Sequence, residues 1–136
     1  MKSGTIFIVL LEEESMRVCI IDDNNDILEL LENILIATGN EVSVANNGKE
    51  GLSLILSEKF DLIILDITMP DFSGIDVVRY LDINEKLRKN HIIFLTAAEV
   101  SESVLKEWFD KGVKTCIKKP VEFQDFFEYV NEVRIS

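Results

Sequence analysis

The sequence predicts a doubly wound α/β fold, a parallel sheet with helices on both faces. Three observations carry that expectation. Short β-branched runs alternate with longer stretches of helical spacing from Arg17 to the C-terminus. The central runs, above all Leu62–Leu65, are apolar at every position, as in strands covered on both sides. Unusual polar residues stand where the runs stop.

Taken in order, Arg17–Ile21 is an apolar strand halted by Asp22 and Asp23. Beyond Ile27, the apolar residues Leu30, Leu31, Ile34 and Leu35 have the spacing of one buried helix face. Gly39 is placed to end that helix as a left-handed cap. Glu41–Ala45 alternates Val42 and Val44 with polar neighbours, the pattern of a second strand. Asn46, Asn47 and Gly48 turn into a short helix bearing Leu52, Ile55 and Leu56. Leu62–Leu65 follows as the third strand and Asp66 terminates it. A loop through Pro70 and Gly74 leads to a helix with Ile75, Val78 and Leu81. His91–Leu95 is the fourth strand, ending in Thr96. Ser101 can cap a helix carrying Val104, Leu105, Trp108 and Phe109. Thr115–Ile117 is a short fifth strand, and a last helix runs from about Glu122 to Val133 on Phe123, Phe126, Phe127 and Val130.

A chain of 136 residues is one ordinary domain. Lys and Arg number 14 against 25 Asp and Glu, so the net charge is 14 − 25 = −11. Such acidity opposes phosphate backbones and anionic lipid, so neither nucleic acid nor membrane is an expected direct partner. Cys19 and Cys116 stand alone in apolar surroundings without CxxC spacing, which excludes a disulfide framework and fits a reducing, cytoplasmic setting. The apolar run Ile6–Leu11 is too short to span a bilayer, and Glu12–Glu14 stand where a signal peptide has small residues.

In an open parallel sheet, ligands bind beyond the carboxyl ends of the strands. There the sequence puts Asp22 and Asp23, Asp66, Thr96, and then Lys118 and Lys119 before Pro120. Taken singly, each has a plain account: Asp23 as a turn former, Thr96 as a cap, the lysines as solvated charges. Together, at successive strand ends, they describe a site. Converging carboxylates repel one another unless a cation or a proton relieves them. Oxygen donors without His or Cys specify a hard ion, with Mg²⁺ as the expected one.

From Met16 to Ile135 the chain resembles the receiver domain of two-component response regulators. The resemblance rests on IIDDN at the first strand end, LDITMPDFSG around the third, LTA at the fourth and KKP at the fifth. It implies a flavodoxin-like sheet of five parallel strands in the order 2-1-3-4-5, with five helices on its two faces. By the same resemblance Asp66 is the phosphoacceptor, and Asp23 and Asp22 are the acidic Mg²⁺ ligands, direct and water-mediated respectively. The backbone carbonyl of Thr68 is a further ligand. Thr96 binds a phosphoryl oxygen, and Lys119, joined to Pro120 by a cis bond, neutralises charge. The partners implied are a sensor histidine kinase or a histidine phosphotransfer protein, and a downstream target protein. Such a domain is not an enzyme on an outside substrate, although it catalyses its own phosphorylation and slow dephosphorylation.

Two features depart from the pattern. Cys116 stands three residues before Lys119, where the family often has Tyr or Phe, and its plain role is that of a small buried strand residue. Residues 1–15 precede the receiver pattern of 16–136; Met16 would serve as a start, while Thr5–Leu11 reads alternatively as an extra strand. Only five residues follow Asn131, so the expected effector is a separate protein and the receiver stands alone. Two rivals remain. A pseudo-receiver would serve only as an interaction module, against which the full set of site residues counts. A haloacid-dehalogenase-type phosphatase would need a second Asp two residues past Asp66, where Thr68 stands.

Overall fold

In the computed structural model, residues 15–136 are described. Five strands alternate with five helices: β1 (Arg17–Ile21), α1 (Asn25–Ala37), β2 (Glu41–Ala45), α2 (Gly48–Ser57), β3 (Leu62–Asp66), α3 (Gly74–Ile83), β4 (Ile92–Thr96), α4 (Glu102–Lys111), β5 (Cys116–Lys118) and α5 (Phe123–Ile135). The strands form one sheet in the order β2-β1-β3-β4-β5, every pair parallel. Strand order and helix number match expectation. The expectations for residues 1–14 lie outside the described residues.

The pleat sends alternate side chains to opposite faces, which divides the interior into two cores. Cys19, Ile21, Ile63, Leu65 and Phe94 face α2, α3 and α4, where Ile55, Val77, Leu81 and Trp108 meet them. Val18, Ile20, Leu62, Ile64 and Leu95 face α1 and α5, against Leu31, Leu35, Phe126 and Val130. Burial of β3 and β4 at every position accounts for their unbroken apolar sequence. Helix starts follow side-chain capping: Asn24, Asn47, Ser73 and Ser101 each accept backbone N–H groups of the first turn. Gly39 takes φ +90°, the left-handed conformation expected after α1.

The structure corrects several details of the core. The inward line of α1 is Leu28, Leu31 and Leu35, and Leu30, about 100° round from Leu31, is 43% exposed. Val44, Leu56, Phe109 and Phe123 likewise reach solvent. Each has apolar neighbours in sequence, but the helix or sheet presents only one stripe or face to the core. β4 and β5 begin one residue later than the hydrophobic runs suggest, and Thr96 closes β4. Cys116 is half-buried, because β5 is an edge strand of three residues.

Candidate functional site

Asp22 follows β1, Asp66 and Thr96 close β3 and β4, and Lys119 follows β5. A shared local device orients the first three. Asp22 Oδ1 accepts the N–H of Asn24 at 2.9 Å, Asp66 Oδ1 that of Thr68 at 3.2 Å, and Thr96 Oγ1 that of Ala98 at 3.0 Å. Each polar side chain thus turns the chain two residues on, the role a short oxygen-bearing side chain performs well. The turn occupies one carboxylate oxygen of each Asp and leaves the other facing the cluster. Those second oxygens meet Lys119: Nζ lies 2.7 Å from Asp22 Oδ2 and 3.6 Å from Asp66 Oδ2.

Burial makes these contacts matter. Asp22 is wholly buried and Asp66 and Thr96 nearly so, whereas Asp23 and Thr68 are exposed. Asp22, Asp23 and Asp66 each offer an oxygen, all within 4.8 Å of one another. Three carboxylates against one ammonium leave the pocket net negative. Burial, then the charge of Asp22, pushes the Asp66 carboxyl up to about 7, against the opposing pull of Lys119 and the Thr68 N–H. Burial alone would lower the Lys119 ammonium, but its close ion pair with Asp22, with Asp66 adding to it, holds it above its ordinary value. Asp22 Oδ2, although beside that ammonium, has no hydrogen bond of good geometry. An all-oxygen donor set, excess negative charge and an under-satisfied buried oxygen together fit a hard divalent cation.

Backbone packing closes the site. Gly74 begins α3 against the end of β3, where a Cβ would lie 2.2 Å from the Asp66 carbonyl oxygen, so only glycine permits the approach. The Lys119 N–H donates to the Thr96 carbonyl at 2.8 Å, and the Lys119–Pro120 bond is cis, as the resemblance implies. All the expected site residues gather at one end of the sheet; Lys118, given no role, is exposed there. The contributions of the Asn24 and Ala98 N–H groups and the close approach at Gly74 were not foreseen. An Asp followed two residues later by Asn is the one local signal that could have revealed the first. Among the described residues no helix is long and apolar enough to cross a membrane.

Comparison with known proteins agrees with this geometry. The family model described as the response regulator receiver domain matches residues 18–131. The polar-differentiation response regulator DivK of Brucella anthropi is 30% identical over 115 residues, covering 83% of this chain and 91% of DivK. A probable transcriptional regulator, ycf29, of Pyropia yezoensis is 31% identical over 88% of this chain, which spans only 53% of that relative's length. Among solved structures, a CheY-like receiver domain protein from Methanospirillum hungatei has a TM-score of 0.78 at 31% identity, over 89% of this chain and 94% of its own. The response regulator TrrA of Thermotoga maritima, solved in complex with Mg²⁺-BeF, has a TM-score of 0.73 at 34% identity, over 86% of this chain and 97% of its own. With a family model covering most of its length and the strand-end residues gathered at one site, the chain belongs to the response regulator receiver domain family.

Proposed function

We propose that this chain is a cytoplasmic receiver domain that takes a phosphoryl group onto Asp66 from a phosphohistidine. The donor is a sensor histidine kinase or a histidine phosphotransfer protein. The observation that carries the reading is Asp66 itself: a carboxylate delivered by an entirely buried strand, with one oxygen fixed by Thr68 and the other facing Lys119. In the transfer, an Asp66 oxygen forms a bond to phosphorus as the phosphorus–nitrogen bond of the donor breaks, leaving an acyl phosphate and a free imidazole. Lys119 stands where charge accumulates on the phosphoryl oxygens, and the Thr96 hydroxyl stands to bind one of them.

Asp22, Asp23, Asp66 and the Thr68 carbonyl would hold Mg²⁺. When bound, the ion offsets the mutual repulsion of the carboxylates and the charge of the phosphoryl group. Water later cleaves the acyl phosphate and regenerates the Asp66 carboxylate. The phosphorylated state acts by binding a partner protein or by passing the group along a relay. Cys116 offers no ring for an aromatic rotamer switch, so the signal runs through Thr96 and the loop after it.

Incubation with acetyl phosphate and Mg²⁺, followed by intact-mass measurement, tests the assignment. One phosphoryl group is expected on the wild type and none on Asp66→Ala. Labelling of the variant at wild-type stoichiometry would overturn it.

A further inference from the structure

At the amino ends of the strands, opposite the carboxylate cluster, a groove of about 550 Å³ opens beside Arg17. Leu56 and Ser57, at the end of α2, line this groove and also a second one, of about 540 Å³, between α2 and α3. The two make one trough along α2, whose ten residues rise about 15 Å. Between the helices it is chiefly apolar, lined by Leu52, Leu56, Phe72 and Tyr80, with Leu56 and Tyr80 44% and 41% exposed. Its charge is opposite to that of the chain. Five cations line the trough against two acids, where the whole sequence has 14 against 25. Both acids are engaged with Arg17: Glu58 pairs with the guanidinium, and Asp61 Oδ2 accepts the Arg17 N–H at 2.8 Å. The exposed Lys49, Lys59, Lys86 and Lys89 have no ion-pair partner among the described residues.

An exposed apolar strip rimmed by charge of one sign selects its partner by complementarity. We infer that the trough docks an acidic amphipathic helix of a partner protein. The helix lays its apolar stripe on Leu52, Leu56, Phe72 and Tyr80 and turns its carboxylates toward Lys59, Lys86 and Lys89. A helix suits the place, since α2 and α3 are neighbouring ridges and about three helical turns span the length of α2. Apolar contact supplies the attraction, because exposed ion pairs contribute little by themselves. The cations set direction and partner choice. Elsewhere the chain's net charge of −11 repels such a helix, so specificity comes from the trough. The inference is independent of phosphoryl transfer and holds whether or not Asp66 is an acceptor.

Nuclear magnetic resonance on the full chain tests it, with a stapled synthetic helix carrying Leu along one face and Glu elsewhere as the probe. Amides of α2, Phe72, Tyr80 and residues 86–90 should shift together as the probe is added, and binding should weaken as salt is raised. Joint replacement Lys59→Glu, Lys86→Glu and Lys89→Glu should weaken binding at least ~10-fold. Leu56→Ser with Tyr80→Ser should do the same through lost apolar contact. All five side chains are exposed, so melting temperatures should stay near the wild-type value in both variants. A probe with Lys in place of Glu should leave the trough unshifted. Absence of shifts along the trough, shifts centred elsewhere, or an affinity unmoved by the lysine replacements would overturn the inference. The same shifts with inorganic phosphate alone would assign the lysines to a small anion and overturn it. Shifts of the chain alone on dilution would assign the trough to a second copy, which would also overturn it.

Discussion

Replacing Asp66 by Asn should make the metal-free protein more stable. The side chain stays the same size, and its remaining oxygen can still accept the Thr68 N–H. What disappears is a charge held beside Asp22 in a buried pocket, where the native carboxyl is pushed up to about 7 from 3.8. A carboxyl whose folded value is raised binds its proton more tightly in the native state. Its ionisation therefore costs stability progressively as pH rises from its unfolded value to about 7. A carboxyl raised that far sets a ceiling of about 4 kcal/mol, at about 1.4 kcal/mol for each tenfold gain in proton affinity. Asp22 bears part of the same repulsion and Lys119 can turn wholly to Asp22, so a gain of about 2 kcal/mol is the expectation. For a domain of this size that is roughly 6 °C or more in melting temperature. The assay is thermal unfolding in chelator at about pH 8 and about pH 5. The wild type should gain stability at the lower pH, Asp66→Asn should change little, and the two should converge. A variant that melts at or below the wild type at the higher pH would refute the reasoning.

Further outcomes follow from the same geometry. Millimolar Mg²⁺ should raise the wild-type melting temperature by mass action, and Asp23→Asn, at an exposed position, should weaken that response while leaving the metal-free protein nearly unchanged. Lys119→Met should destabilise the metal-free protein by about 3 kcal/mol in denaturant titrations, because buried Asp22 loses its counter-charge, and Mg²⁺ should restore more stability than it adds to the wild type. Gly74→Ala should cost about 1–3 kcal/mol by the same measurement, since its methyl would lie 2.2 Å from the Asp66 carbonyl. Cys116→Ala should leave phosphorylation-dependent partner binding intact in pull-down or calorimetry; a variant that is phosphorylated normally yet loses that binding would give the thiol a signalling role.

What could be read in the sequence divides along physical lines. Strand identity was legible because β3 and β4 are buried on both faces, and nothing but apolar side chains satisfies that position. Asp66 stood out against that background for the same reason. Single helix faces were less legible: α1 carries apolar residues round much of its circumference, and only contact with the sheet decides that Leu28 is inside and Leu30 outside. At the site, side-chain identities were visible in the motifs. Which oxygen faces Lys119 was not, because it depends on turns closed by backbone N–H groups, for which Asn24, two residues past Asp22, is the one local hint. Exposure of Asp23 beside wholly buried Asp22 could not be told from two adjacent identical residues.

β5 has three residues and pairs on one side only, with β4. Lys119 follows directly on this strand and donates its own N–H to Thr96. The pocket's cation thus follows the shortest strand of the sheet, itself an edge, while Asp22 and Asp66 stand at the ends of β1 and β3, which are paired on both sides. A change in the pocket's charge would therefore load two supports held by different numbers of neighbouring strands. A shift of Lys119 along with β5 would disturb pairing to one neighbour, whereas a shift of Asp66 along with β3 would disturb pairing to two.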